Sequence, residues 1–336
     1  MAGPLRFRRS EERWTEQRVR RELLSPLDDR FGATLTTSWY KLHGPYETYR
    51  LEMDNGDRAL FAHSGDAPPE RTPEAFWLGN TETPEVLWRT TKYTFAEVPT
   101  SVAEWAQREL FAMVDQQAPW LTAHEHLTRF FLPVFCSKDG RHTTRTFFAD
   151  HAGGFPDADR DAGLGFYDDL IARGLLDEHR YTMAAKLGTS ERLEVDRMCS
   201  TMAEFNAAKL LADAGHDFVP EVEMDSGHAL DFRVGETLLE VTRPQPPRRR
   251  AAGTAAAALR QTVGSKTDGQ LDVHDDAVLL VDCSSFRDDE WNGVRTERPA
   301  VGHEPTVIFR MRPDGSAEGY ALGSLPLSFD GALAWL

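Results

Sequence analysis

Near the N-terminus, the spacing of the apolar positions is first helical and then strand-like. A helix is predicted to begin at Ser10, with acidic residues in its first turn, and to end at Pro26. Its inward positions are Trp14, Val19, Leu23 and Leu24. The segments 46–53 and 58–62 alternate as strands around Asn55-Gly56, a pair that favours a two-residue type I′ turn. A helix followed by a hairpin is therefore predicted here.

A capping box marks the start of a second helix. Ser101 and Glu104 have the Ser-x-x-Glu spacing of that motif, and the apolar stripe behind them is Val102, Trp105, Leu110 and Val114. A second hairpin is predicted over 131–148, with its turn at Lys138-Asp139-Gly140. A loop rich in Gly, Asp and Pro then follows over 150–163. This half of the chain carries no catalytic motif.

The second half has a regular order of elements. Residues 193–214 have helical apolar spacing and are closed by Gly215. Strands are predicted after it over 218–224, 228–234, 237–242, 277–281, 306–311 and 320–329. A helix is predicted over 251–263, between the third and fourth of these strands. The predicted fold is an α+β module over 1–190, joined to an α/β domain over 191–336.

Composition supports a folded protein in a reducing compartment. Hydrophobic residues make up 40% of the 336 residues, which excludes a wholly disordered chain. No run approaches the roughly 18 apolar residues of a membrane helix, and the N-terminus has no secretory pattern. Three well-separated cysteines form neither a disulfide framework nor a zinc motif. We expect a soluble, cytoplasmic protein that does not bind a membrane.

The charge balance is strongly acidic. The net charge is -16, and only six of the 38 basic residues are lysine. Such a surface is typical of halophilic proteins, because concentrated salt screens like charges within a few ångströms. An ordinary acidic protein has a similar composition, so both interpretations stay open. In molar salt the overall charge does not exclude nucleic-acid binding, and local clusters have to be considered instead.

One turn allows the register of two strands to be predicted. If Gly235-Glu236 forms a two-residue loop, Asp231 lies opposite Glu240, and side chains so placed are ~4.5–5.5 Å apart at Cβ. Two such carboxylates repel unless a cation lies between them or one is protonated, and Mg²⁺ prefers these oxygen ligands. Thr242 lies on the same face as Glu240, two residues along the strand. The alternative is a solvated acidic hairpin.

These residues resemble the core of the PD-(D/E)XK nuclease superfamily, to which restriction endonucleases and Holliday-junction resolvases belong. The resemblance covers about residues 191–285: a helix bearing Glu204, a strand with Asp231 in Leu-Asp-Phe-Arg-Val, and Leu-Leu-Glu-Val-Thr containing Glu240. It implies a restriction-endonuclease-like central mixed sheet flanked by helices. The whole chain also resembles an uncharacterised haloarchaeal family, which implies no activity.

The resemblance implies metal-dependent hydrolysis of phosphodiester bonds. Asp231 and Glu240 would hold Mg²⁺ or Mn²⁺, with the carbonyl of Val241 and with Glu204 completing the ligand set. The lysine that the superfamily places two residues after the Glu is Thr242 here. Two residues of the following segment are candidates to replace that lysine: Lys266 as a cation and Gln261 as a hydrogen-bonding group.

A basic segment adjoins this candidate site. Residues 241–267 contain no acid and six cations: Arg243, Arg248, Arg249, Arg250, Arg260 and Lys266. Arginine binds phosphate in a bidentate manner, so the five arginines are predicted to hold a nucleic-acid backbone. The alternative is a solvated run of charge that pairs with acidic patches of the same chain.

The favoured prediction is therefore a Mg²⁺-dependent nuclease acting on DNA, including branched or damaged DNA. The alternative is a catalytically inactive nuclease-like domain that binds nucleic acid or a protein partner. A third reading is an unrelated metal- or small-molecule-binding protein. By analogy with resolvase-like enzymes, a homodimer is one option.

Overall fold

The structure is a computed structural model that describes residues 5–65, 74–80, 92–93 (backbone only), 99–187, 191–223, 229–247, 253–269, 271 and 274–336. The chain divides into two compact units. The first comprises residues 1–145 and 180–192, and the second comprises 146–179 and 193–336. The predicted boundary at residue 190 places residues 146–179 in the first unit, whereas the structure places them in the second. The structure groups them with the second unit because the Gly154 carbonyl accepts a hydrogen bond from Arg243 (2.6 Å) and Arg173 donates one to Asp213 Oδ1 (2.6 Å).

The strands form two sheets. The strands are β1 Leu5–Ser10, β2 Thr34–Thr37, β3 Glu47–Glu52, β4 Arg58–His63, β5 Ala75–Gly79, β6 Lys92–Tyr93, β7 Val219–Glu223, β8 Ala229–Val234, β9 Thr237–Thr242, β10 Val278–Asp282, β11 Thr306–Met311, β12 Ala317–Leu322 and β13 Ala334–Trp335. The first unit holds an antiparallel sheet in the order β2-β3-β4-β5-β1-β6. The second holds a mixed sheet in the order β13-β12-β11-β10-β9-β8-β7.

Helices form much of the rest of the described chain. They are α1 Glu16–Val19, α2 Ser25–Phe31, α3 Thr100–Gln117, α4 Pro119–Thr122, α5 Glu125–Phe130, α6 Leu132–Phe135, α7 Thr143–His151, α8 Arg160–Ala172, α9 Arg180–Leu187, α10 Val195–Asp213, α11 Ala255–Thr267 and α12 Asp288–Glu297. A π-helical turn, Arg20–Leu24, joins α1 to α2. In the described part of the chain, none of these helices combines the length and hydropathy needed to cross a bilayer.

The structure corrects the helix boundaries predicted for the first unit. Ser10 ends β1, and the helical segment starts only at Glu16, where Thr15 caps it. Pro26 lies in the first turn of α2 rather than at a helix end, because a proline there costs no intrahelical hydrogen bond. The capping box at Ser101 is also wrong, since α3 begins at Thr100 after Pro99.

Two further predictions for this unit concern hairpins. β3 and β4 do pair, but Met53 and Asp57 are joined by a backbone hydrogen bond, which leaves a three-residue loop with Gly56 at φ +79°. The second predicted hairpin is wrong, because the segment 131–148 forms α6 and most of α7. Short apolar runs fit a buried helix as well as a strand, and periodicity does not separate the two.

The second unit confirms the mixed α/β architecture expected for this part of the chain. β9, β10 and β11 run parallel, whereas β7, β8 and β9 form an antiparallel meander. The helix α11 packs on one face of the sheet, and its buried positions share an apolar core with β10. The strand predicted at 306–311 is β11. This arrangement brings α10, β7, β8 and β9 together around the candidate site.

Candidate metal centre

The β8–β9 hairpin has the register predicted from its turn. Gly235 adopts φ +56°, Val234 pairs with Thr237, and Phe232 pairs with Leu239. Beyond these pairs the Asp231 side chain bonds to the neighbouring backbone: the Val241 N–H donates to Asp231 Oδ2 (2.8 Å). The Asp231 carboxylate is therefore fixed against β9 at the residue that follows Glu240.

Three carboxylates from three different elements come together at this point. Glu204 of α10, Glu221 of β7 and Asp231 of β8 each place a carboxylate oxygen so that the three oxygens lie within 4.8 Å of one another. Carboxylates at such separations repel one another unless a cation is shared among them. Oxygen donors alone, with no sulfur or imidazole, are the ligand type that Mg²⁺ and Mn²⁺ prefer. The donor set therefore fits one of these ions.

Glu221 is the member of this cluster that sequence reasoning missed. Pro220 pairs with Phe232 and Val222 with Leu230, so Glu221 lies opposite Asp231 across the β7–β8 pair. Its φ of +57° is unusual for a residue other than glycine and costs on the order of 1–3 kcal/mol. Such strained positions cluster at functional sites. The sequence places Asp225-Ser226-Gly227 between the two strands, and because this is not a two-residue loop it does not fix their register.

Glu240 lies outside the three-carboxylate group and pairs with a lysine instead. Its side chain is 1% exposed, and Lys266 Nζ donates a hydrogen bond to Glu240 Oε1. Lys266 reaches it because α11 extends to Thr267, one turn beyond the predicted helix end. The carboxylate oxygens of Asp231 lie close to those of Glu204 and Glu221, and metal binding by Asp231 together with Glu240 stays a prediction. Lys266, a predicted replacement for the superfamily's lysine, contacts Glu240, and its catalytic role stays a prediction.

The other two residues nominated around Glu240 differ in their surroundings. Thr242 is 7% exposed and pairs with Val281 of the parallel strand β10. Gln261 is exposed on α11, and in the described residues no hydrogen bond joins it to a carboxylate of the cluster. Lys266 is therefore the candidate that the fold brings to Glu240.

Arg243 does not lie on a nucleic-acid-binding surface. Its side chain is fully buried and donates to Ser285 Oγ (2.8 Å) and to the Gly154 carbonyl (2.6 Å), with Asp282 Oδ2 at 3.3 Å. The attraction of Asp282 offsets the cost of burial and raises the pKa of Arg243, so the guanidinium stays charged inside the unit. We therefore remove Arg243 from the predicted interface, because a buried guanidinium is inaccessible to phosphate.

The remaining arginines of the basic segment are partly described. Arg260 is exposed on α11 and forms an ion pair with Glu297 at 2.6 Å. Arg248, Arg249 and Arg250 lie outside the described residues. Their contact with nucleic acid stays a prediction.

The fold and the cluster define a two-unit α/β protein with an oxygen-donor site in its second unit. A family of unknown function, DUF5784, matches residues 2–329, and the chain belongs to it. No curated protein and no solved structure matches the chain.

Proposed function

We propose that this protein is a Mg²⁺- or Mn²⁺-dependent nuclease that hydrolyses phosphodiester bonds in DNA. The observation that carries the proposal is the convergence of the Glu204, Glu221 and Asp231 carboxylates. The Lys266–Glu240 ion pair lies next to it in sequence, because Glu240 directly precedes Val241, whose N–H donates to Asp231. Acidic ligands hold a metal that activates water, and a lysine beside them stabilises charge on a phosphate, so the two together suit phosphodiester hydrolysis.

The order of elements supports the same proposal. Helix α10 carries the first carboxylate, the meander β7-β8-β9 carries the others, and α11 then leads into β10, which is parallel to β9. This is the order implied by the resemblance to PD-(D/E)XK nucleases. The superfamily's lysine would be replaced in space by Lys266, which reaches Glu240 from the neighbouring helix.

The carboxylates of Glu204, Glu221 and Asp231 would hold the metal. The Val241 carbonyl is a further candidate, since the N–H and C=O of one strand residue face the same neighbour and this N–H faces Asp231. A bound Mg²⁺ supplies Lewis acidity and a lower pKa for coordinated water. Asp231 is kept in one orientation by the Val241 N–H. The Lys266 ammonium, oriented by Glu240, stabilises negative charge that develops on the phosphate.

The experiment is cleavage of labelled linear, single-stranded and branched DNA in molar KCl, with Mg²⁺ or Mn²⁺. The variants are Asp231→Asn, Glu221→Gln and Lys266→Met. Glu223→Gln is the matched control, because Glu223 lies on the same strand as Glu221 but is exposed and outside the cluster. Mn²⁺ binding is measured in parallel by electron paramagnetic resonance.

We expect metal-dependent cleavage that falls at least a hundredfold in all three site variants and is unchanged in Glu223→Gln. Asp231→Asn and Glu221→Gln should also weaken Mn²⁺ binding, whereas Lys266→Met should leave it intact. If the wild type binds DNA without cutting it, the alternative holds: an inactive nuclease-like domain that binds nucleic acid. If the wild type binds no Mn²⁺, the metal site is refuted.

A further inference from the structure

The first unit contains a cavity that is independent of the carboxylate cluster. Its volume is about 310 Å³, and four buried apolar side chains line it. These are Leu5, Leu78, Leu110 and Met113. Three arginines, Arg58, Arg141 and Arg145, line the same cavity. Apolar side chains and three guanidinium groups therefore share one cavity.

Two of the three arginines have acidic partners. Arg141 Nη1 lies 3.2 Å from Asp57 Oδ1, and Arg58 Nη2 lies 3.4 Å from Glu52 Oε2. Asp54 also lines the cavity, but its side chain is exposed and packs against the backbone of Gly32. The two are so close that a Cβ added at Gly32 would lie 2.2 Å from Asp54 Oδ2. The charges of Arg58 and Arg141 are therefore compensated locally.

Arg145 has no such partner. Its Nε and Nη2 donate to the Phe135 carbonyl (3.1 and 2.9 Å), and its Nη1 donates to Gln117 Oε1 (2.9 Å). In the described part of the chain, no carboxylate lies within ion-pair distance of this guanidinium. These bonds use three of its five N–H donors, which leaves two for another group.

The surroundings of Arg145 increase the cost of its charge. Burial lowers the pKa of Arg145, and the neighbouring charges of Arg58 and Arg141 lower it further. Cys136 is close enough to supply a negative charge, but burial raises the pKa of its thiol to about 11, so it is neutral at physiological pH. A partly buried cation without a counter-ion is costly unless something else neutralises it.

We propose that this cavity binds a small organic anion, whose single carboxylate or phosphate-ester group pairs with Arg145 and whose apolar part lies on Leu78, Leu110 and Met113. Guanidinium groups bind both anion types in a bidentate manner, and two donors are available for this. The volume is near the lower end of the ~300–1,000 Å³ of small-ligand sites, which limits the ligand to one short chain or ring.

The test uses isothermal titration calorimetry on the full chain in molar KCl. The probes are octanoate and octyl phosphate, which carry charge and an apolar chain, octanol, which lacks the charge, and inorganic phosphate, which lacks the chain. The variants are Arg145→Gln and Met113→Trp, which places a larger side chain in the cavity. Arg129→Gln is the control, because Arg129 is exposed on α5 of the same unit and pairs with Glu125.

We expect octanoate or octyl phosphate to bind, and the tighter of the two identifies the anionic group. Arg145→Gln and Met113→Trp should each weaken binding at least tenfold, whereas Arg129→Gln should not change it. The proposal is overturned if neither amphiphilic anion binds the wild type. Equal binding of octanol, or of inorganic phosphate, overturns it as well. If Arg145→Gln fails to fold, the comparison of probes on the wild type and the result for Met113→Trp still test the proposal.

Discussion

Replacing Arg243 by methionine separates a structural role from a nucleic-acid-binding role. The guanidinium is fully buried and joins three segments, through Ser285 Oγ and the carbonyls of Gly154 and Cys199. It is also the ion-pair partner of Asp282, whose side chain is 0% exposed. Methionine fills a similar volume but removes the charge and every donor.

The loss in stability follows from the groups left behind. Removing one partner of a buried ion pair costs about 3–5 kcal/mol, because the other charge stays buried without compensation. Asp282 keeps three donors, the Asn206 amide (2.8 Å), the Ser284 N–H (2.9 Å) and the Ser284 hydroxyl, which reduces this penalty. The Gly154 carbonyl loses its bond, at about 1 kcal/mol. We therefore expect the free energy of unfolding to fall by about 3–4 kcal/mol.

The assay is urea unfolding in molar KCl, analysed by linear extrapolation. Hydrogen exchange of peptides from β9 and β10 assigns the loss to the second unit, whether or not the two units unfold together. The control is Arg260→Met, which removes an exposed ion pair with Glu297 and should cost about 0–1 kcal/mol. The double variant Arg243→Met, Asp282→Asn should recover part of the loss, because it removes the orphaned charge.

Two outcomes would refute this reasoning. The first is a loss below about 1 kcal/mol for Arg243→Met, which would place the guanidinium in solvent rather than in a buried network. The second is an unchanged free energy of unfolding together with weaker DNA binding. That result would return Arg243 to the predicted interface.

Two further predictions concern the stability of single positions. His63 is 1% exposed, and burial lowers its pKa more than the negative charge of Glu47 raises it. The unfolded chain then binds a proton more readily, so the free energy of unfolding should fall as the pH drops below about 6.5, and His63→Gln should flatten this dependence in urea curves. A Cβ at Gly319 would lie 2.3 Å from the Ile308 carbonyl oxygen, so Gly319→Ala should lower thermal stability by about 1–3 kcal/mol. Gly293→Ala, on α12 with open space around it, should not lower it; the reverse ranking would contradict the β11–β12 packing.

Local signals in the sequence predicted the elements around the site. The apolar stripe of α10 and the two-residue loop at Gly235-Glu236 depend only on neighbouring residues, and both are observed. Periodicity with a period of 3.6 or 2 reports which face of an element is buried. It does not distinguish a short buried helix from a strand, which is why the segment 131–148 was predicted as a hairpin.

The membership of the site was decided by tertiary structure. Glu221 lies opposite Asp231 because of the β7–β8 register, and Glu204 joins them because α10 packs beside these strands. Lys266 reaches Glu240 from a helix 26 residues further along the chain. The sequence shows which residues are charged, but the burial and the partners of those residues depend on contacts between distant segments. For that reason Arg243, which belongs to a basic run in the sequence, is a buried cation that holds three segments together.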